Sequence, residues 1–343
     1  MKLFTPLLNV NSVNCNLKCR YCFHRRKNQS DPQKFMEIST AKLFIKNLVE
    51  TFPFESEYKI IWHGGEPLLA GKDFYHQVFR HLKKEFPHMR IYHSIQTNLL
   101  LYDDSWNKVF ESVFRWNVST SYDFFSSLRP YSVSTFLDRL KKFQDRSGKP
   151  GYVICVLNKE NDKKVLDICM IAEENGFHIK LNYLYPAGAA RRLEFFTPVE
   201  YLRALKKVFE HRDEFPSVVI DPVDMFIDYA KGKIMELPCP VTNRCVGKIF
   251  ALMPDGKIYQ CGEMADIGEG YLGDVKNGID QERFSELLEV SFVLDEKCMK
   301  CGLCGGGCLK QRRLYAGDMK VPTPFCTVWK EMYRSALNYL EKS

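Results

Sequence analysis

The first two-thirds of the chain alternates between short β-rich runs and longer stretches of helical periodicity. The runs fall at about 3–13, 58–62, 90–96, 116–121, 152–157 and 178–185. Between them the apolar residues recur at helical spacing over about 39–50, 74–85, 104–114, 134–144, 163–175 and 198–211. In the first of these, Ser39 or Thr40 can cap while Leu43, Phe44, Leu48 and Val49 form one apolar face. In the fifth, Gly176 follows Asn175 and suits a position with positive φ just past a helix. Six β–helix units in series predict a parallel sheet with right-handed crossovers. Six is too few for a closed eight-stranded barrel, which leaves an open partial barrel or a doubly wound sheet. Either one puts its chemistry at the C-terminal ends of the strands.

Near residue 233 the pattern changes. From Cys239 to Cys326 the chain is Gly-rich and short of long elements. The clearest feature there is a hairpin of 249–253 and 257–260, turned by Pro254-Asp255-Gly256. The boundaries this implies are a core at 1–232 and a second, loop-rich domain at 233–343, held together by metal. Length agrees, since 343 residues correspond to about two domains. A hydrophobic fraction of 45% and a charged fraction of 27% are ordinary for a globular protein and exclude a disordered chain. No run of 18 apolar residues is available to span a membrane. The N-terminus lacks the apolar region and cleavage site of a signal peptide, so the expected location is the cytoplasm. The net charge of +7 is partly concentrated in Lys18, Arg20, His24, Arg25, Arg26 and Lys27. No nucleic-acid motif follows it, and no nucleic-acid partner is expected.

Cysteine changes the picture. There are 13, and eight of them lie between Cys239 and Cys326. In a reducing compartment such a cluster points to metal ligation rather than cross-linking. Cys298-x2-Cys301-x2-Cys304-x3-Cys308 has the spacing of ferredoxin-type iron–sulfur runs, in which the fourth cysteine serves another cluster. Cys239, Cys245, Cys261 and Cys326 supply enough further thiolates for two fully ligated cubes, with structural zinc as the competing reading. At the end of the first β-run stands Cys15-x3-Cys19-x2-Cys22, with Tyr21 as an aromatic wall. Three cysteines leave one iron of a four-iron cube open for a substrate or cosubstrate.

CNLKCRYC at 15–22 resembles the signature of the radical S-adenosylmethionine (SAM) superfamily. The resemblance implies that the open iron binds SAM, whose reductive cleavage yields a 5′-deoxyadenosyl radical that abstracts hydrogen from a substrate. Other motifs follow in family order. Gly64-Gly65-Glu66-Pro67 resembles the segment that contacts the SAM amino group, and Gln96 opens a QTN triplet at the end of the third run. Ser121 and Asp123 match an SxD that reaches the SAM ribose and carboxylate, and backbone around Leu184 corresponds to the adenine frame. The C-terminal region resembles the SPASM domain, which implies auxiliary clusters on Cys239, Cys245, Cys261 and Cys308 and on Cys298, Cys301, Cys304 and Cys326. Together these resemblances imply a partial (β/α)6 TIM-like barrel with a small loop-rich C-terminal iron–sulfur domain, three [4Fe-4S] clusters and SAM.

Members with this layout mostly modify peptides or proteins, so a peptide or protein substrate is implied, with an electron donor such as flavodoxin or ferredoxin. The chain is expected to begin directly at its first strand, without a separate leader-binding domain, as in sulfatase maturases and simple cyclophane- or thioether-forming enzymes. Three residue patterns depart from the family. The Cys298–Cys308 run is three residues shorter, QTNG and SIDG become QTNL and SYDF, and Gly262 stands where sulfatase maturases carry an Asp. Glu263 is then the candidate base. The first reading is a peptide maturase forming an oxidative cross-link. The alternatives are a peptide epimerase with Cys155 as hydrogen donor, a formylglycine-type maturase, and a non-enzymatic electron-transfer module. Cys169, in the middle of a predicted helix, is read as a core residue.

Overall fold

The structure, a computed structural model, describes residues 2–24, 35–52, 56–292 and 296–342. Six parallel strands alternate with six helices: β1 (Lys2–Asn9), α1 (Ile38–Thr51), β2 (Ser56–His63), α2 (Lys72–Glu85), β3 (Arg90–Gln96), α3 (Asn107–Ser112), β4 (Val118–Ser121), α4 (Val133–Ser147), β5 (Tyr152–Leu157), α5 (Val165–Glu174), β6 (His178–Tyr183) and α6 (Pro198–Glu210). A two-residue β7 (Ile220–Asp221) and α7 (Val223–Ala230) follow. The remainder contributes β8 (Ile249–Leu252), β9 (Lys257–Tyr259), α8 (Gly262–Ile267), β10 (Tyr271–Asp274), β11 (Gly278–Ile279), α9 (Gln281–Phe292), α10 (Glu296–Cys301), α11 (Leu309–Gln311) and α12 (Cys326–Lys342). The strands form one sheet in the order β11-β10-β9-β8-β1-β2-β3-β4-β5-β6-β7. This is the partial barrel that six units predict, and β8 pairs in parallel with the outer edge of β1. No helix among the described residues is long and apolar enough to cross a membrane.

Alternation along each strand separates two environments. In β5, Val153, Cys155 and Leu157 are buried while Tyr152, Ile154 and Val156 are half-buried. In β2, Tyr58, Ile60 and Trp62 are buried against the helices, and Trp62 meets Phe74 and Tyr75 of α2 edge-on at 5.6 and 5.3 Å. The opposite set, His63 among it, faces the barrel interior. Outside the sheet Phe110, fully buried, sits among Tyr102, Trp106, Phe114, Trp116 and Phe143 with ring centroids 5.1–6.4 Å apart. Phe110→Ala is expected to lower stability by about 3–5 kcal/mol. Chemical denaturation measures this, and a loss below about 1 kcal/mol would mean that the layer closes over the gap.

Local chemistry moves several predicted boundaries. Helix α1 starts at Ile38 with Glu37 at its N-cap, so Ser39 lies inside the first turn and donates to Glu37 Oε2 at 3.2 Å instead of capping. The third helical stretch begins as a 3₁₀ turn at Asp104–Trp106, capped by Asp103 Oδ1 on Ser105 N–H at 2.9 Å. Strand β4 starts at Val118 because Arg115 and Trp116 take positive φ of 50° and 59°. Gly176 has φ 63° just past α5, as its position predicts. The hairpin of β8 and β9 pairs antiparallel across a turn in which Gly256 has φ +87°.

Candidate active site

The cysteine loop at 15–22 leaves the C-terminal end of β1, and asparagines hold it against the end of β2. Gly65 N–H donates to Asn11 Oδ1 at 2.9 Å, Asn11 Nδ2 donates to Glu66 O, and Glu66 N–H donates to Asn14 O at 2.8 Å. A Cβ on Gly65 would lie 2.1 Å from Asn14 O, so only glycine allows this approach. The thiol of Cys15 lies within electrostatic reach of Cys19 and Cys22, and burial pushes it up to about 11. It accepts from Leu17 N–H at 3.3 Å and from Asn98 Nδ2 at 3.9 Å. On the far side, Ala189 N–H donates to Cys22 O at 3.1 Å, which ties the loop to the segment after β6.

The ends of the next strands converge on this loop. Glu66 is buried, and its carboxylate accepts from Thr97 Oγ1 at 2.6 Å, Asn98 N–H at 2.8 Å and Leu68 N–H at 3.0 Å. Burial raises its carboxyl to about 7 against those bonds. Gln96 Nε2 donates to Ser121 Oγ at 3.1 Å. Asp123 is committed within the protein, since Oδ1 accepts from Val156 N–H and Oδ2 from Arg129 Nε, both at 2.8 Å. Arg129 also donates from Nη2 to Tyr21 OH at 2.6 Å, with its guanidinium 5.6 Å from that ring's centroid. Burial opposes its charge, but Tyr21, Asp123 and Cys19 outweigh burial and hold it ionised. The cation facing the cysteine loop is therefore Arg129, with Asp123 behind it. Leu184 N–H is engaged by Leu157 O at 2.9 Å.

The later cysteines fall into two groups. Cys239, Cys245, Cys261 and Cys308 are mutual electrostatic neighbours, and so are Cys301, Cys304 and Cys326. Cys298 faces Arg312, together with Cys304 and Cys308. No three His, Cys, Asp or Glu side chains among the described residues close on a single metal ion, the arrangement zinc would need. Sulfur donors spread over two such groups, with Met264 N–H on Cys261 Sγ at 3.4 Å, suit iron–sulfur cubes better.

Between the two regions, the barrel interior holds a polar cluster. His24 Nδ1 is 3.1 Å from Asp266 Oδ1, and both residues are buried. The rings of His24 and His63 are 5.5 Å apart, and Phe23 lies 6.0 Å from Tyr185. Burial, reinforced by His24, lowers His63 to about 4 and keeps its ring neutral. His24 Nε2, His63 Nδ1, Asp266 Oδ2 and Tyr185 OH are all buried without a hydrogen-bond partner among the described residues. Buried polar groups of this kind call for a partner, which ordered water or a polar ligand supplies. Glu263 stands beside it, but its carboxylate pairs with the buried Lys310 at 2.7 Å. That ammonium in turn lies 3.6 Å from the centroid of Tyr185. Cys155 is fully buried and sits opposite the buried Leu181 on β6, with Phe124 backbone and Cys169 as neighbours. Asp123 and Arg129 are also among its electrostatic neighbours.

Residues 11–171 match the Radical SAM superfamily. The chain carries a radical SAM domain. Over 359 residues it is 24% identical to the cysteine-type anaerobic sulfatase-maturating enzyme of Clostridium perfringens (strain 13 / Type A), covering 96% of this chain and 95% of that one. A solved structure of native anSMEcpe with bound AdoMet and Kp18Cys peptide superposes with a TM-score of 0.79 at 21% identity, covering 99% and 98% of the two chains. Streptococcus suis SuiB bound to S-adenosylmethionine gives a TM-score of 0.64 at 15% identity, over 95% of this chain and 77% of that one. The fold likeness thus extends past the radical SAM domain through the C-terminal region.

The cysteine loop and the strand-end motifs lie together in the structure, beside four kinds of residue that no motif names. Asn11 and Asn14 left a trace in the run NVNSVNC, whose asparagines stand beside the first cysteine. Arg129, His24 and Asp266 left none. His24, one of the basic residues near the first cysteines, turns inward onto Asp266. Of the others, Arg20 donates to Ser127 Oγ at 2.8 Å, while Arg25, Arg26 and Lys27 lie outside the described residues.

Proposed function

We propose that this protein is a radical SAM maturase that oxidises one residue of a peptide or protein substrate by two electrons. The observation that carries the reading is the polar cluster of His24, His63, Asp266 and Tyr185, set between the Cys15–Cys22 loop and the Cys239–Cys308 group. When bound, SAM and the three clusters would supply a hydrogen-abstracting radical and an acceptor for the second electron. Cys15, Cys19 and Cys22 would hold the cluster that meets SAM. Tyr21, Gly64, Gly65, Glu66, Gln96 and Ser121 surround that place, and Arg129 offers its charge to the SAM carboxylate. The substrate residue enters the interior, where Asp266 Oδ2 takes the proton released on oxidation and His24 fixes the carboxylate's direction.

Side-chain oxidation of the sulfatase type is the first reading, on the strength of a relative matched over nearly its whole length. Cross-link formation is the second, because Gly262 stands directly after Cys261 and the nearest carboxylate, Glu263, is held by Lys310. The test is anaerobic reaction with SAM, a reductant and sulfatase-type peptides carrying Cys, Ser or Ala at the target position. An aldehyde on the Cys or Ser peptide, captured by a hydrazine probe, supports the first reading. Loss of two hydrogens without an aldehyde supports the second. Solvent deuterium at an α-carbon would turn the assignment to epimerisation, and SAM cleavage that leaves every peptide and candidate precursor unchanged would overturn it.

A further inference from the structure

Arg312 lies four residues past Cys308 and is completely buried. Its guanidinium donates from Nε to Gly306 O at 3.0 Å, from Nη2 to Gly305 O at 3.0 Å and Ser291 O at 3.4 Å, and from Nη1 to Met319 O at 3.1 Å and Val290 O at 3.4 Å. Every acceptor is a backbone carbonyl. Among the described residues no carboxylate pairs with it, whereas its neighbours Lys310 and Arg313 each have one, Glu263 and Glu269. The charged or chargeable groups that face it are the thiols of Cys304, Cys308 and Cys298. A buried cation without a counter-ion is strongly destabilising, so the fold must set an anion beside it.

The loop between Cys304 and Cys308 shows how the charge reaches the sulfur. Gly305, Gly306 and Gly307 all have positive φ, at 57°, 83° and 81°, and the turn is closed by Gly307 N–H on Cys304 O at 3.0 Å. The peptide unit joining Gly305 and Gly306 is held at both ends. Its carbonyl accepts from Arg312 Nη2, and its N–H donates to the thiol of Cys304. The guanidinium polarises that unit, and the unit presents its positive end to the sulfur. The other cysteine group is arranged differently. Lys310 lies near Cys308 and Cys239, but Glu263 neutralises it at 2.7 Å.

We propose that Arg312 is the internal counter-charge of the cluster held by Cys298, Cys301, Cys304 and Cys326, and makes it the more readily reduced of the two auxiliary clusters. The proposal rests on the reading that these cysteines carry a cluster. With both cysteine groups loaded, it would favour one-electron transfer from the Cys239–Cys308 group to the Cys298–Cys326 group, with no proton transferred. Arg312 touches neither substrate nor SAM and acts as a positioning residue through charge and through the Gly305–Gly306 peptide.

The experiment is a potentiometric titration of the reconstituted holoenzyme, followed by electron paramagnetic resonance, for wild type, Arg312→Lys and Arg312→Gln. The cluster in question is the signal lost in Cys301→Ala. Arg312→Gln is expected to move that midpoint to lower potential and leave the others in place, while Arg312→Lys keeps most of the wild-type value. An unchanged midpoint in Arg312→Gln at full iron content overturns the proposal, as does an equal shift in Arg312→Lys. Should Arg312→Gln fail to load, the chelator-stripped proteins decide. Without its anion the buried guanidinium destabilises, so apo Arg312→Gln should melt above apo wild type, and a lower melting point overturns the proposal. If wild type and Cys301→Ala hold equal iron, the cluster reading itself fails, and this proposal with it.

Discussion

Alanine at Cys15, Cys19 and Cys22 together is expected to reduce 5′-deoxyadenosine formation to that of a protein-free control under anaerobic, reducing conditions. The three thiols are mutual neighbours in a loop fastened by Asn11, Asn14 and Asn98, so nothing else nearby can replace them as soft ligands. None of the three is fully buried, and most of the loop's fastenings, from Asn11, Asn14, Arg20 and Tyr21, do not pass through a thiol. The variant should therefore keep its circular dichroism and lose only iron and turnover. Continued SAM cleavage by the folded variant would remove the basis for a radical mechanism.

The second large effect is expected at Asp266. Asp266→Asn keeps the size of the side chain but removes the carboxylate that would accept the substrate's proton. Loss of a positioned general base lowers the rate by roughly 100-fold or more. SAM cleavage does not pass through that carboxylate, so 5′-deoxyadenosine should still form while modified peptide falls, and the ratio of the two is the measurement. A substrate radical that cannot lose its proton should take hydrogen back, which deuterium returned from labelled peptide to 5′-deoxyadenosine would report. Glu263→Gln provides the comparison. Its carboxylate already balances the buried Lys310, so its loss should appear as reduced stability, with the ratio of peptide product to 5′-deoxyadenosine unchanged. If Glu263→Gln uncouples the reaction and Asp266→Asn does not, the two roles are reversed.

How far each feature could be read from the sequence depends on the range of the interaction behind it. β3 and β5 are found where the apolar runs put them, because strands buried on their helix-facing side need local β-branched and aromatic residues. β1 is shorter than its apolar run because the asparagines after Asn9 leave the ladder to bind the Gly64–Glu66 turn. The long-range polar contacts are another matter. His24 and Asp266 are 242 residues apart, and Tyr21 and Arg129 are 108 apart. A lone His or Arg carries no local pattern that names its partner. Asp123 shows the same long reach: its motif names the residue, and only three-dimensional placement shows that its oxygens also bind Val156 and Arg129. Arg312 stands in no motif, and complete burial is what sets it apart.

The pairing of β8 with β1 bears on how such a protein can be divided. β1 carries the cysteine loop and is flanked by β2 on one side and by Ile249–Leu252 on the other, with Thr5 N–H on Lys248 O at 2.7 Å. A cut near residue 233 would therefore do more than remove an appendage. It would bare the backbone of the strand from which the Cys15–Cys22 loop departs, and an unpaired apolar edge of that kind recruits other chains. Exchange of auxiliary regions between enzymes, by recombination or by design, has to carry this strand along or replace it in register. Because β1 and β8 pair across residue 233, an exchange that keeps this edge covered takes Ile249–Leu252 along with the strand that carries the cysteine loop.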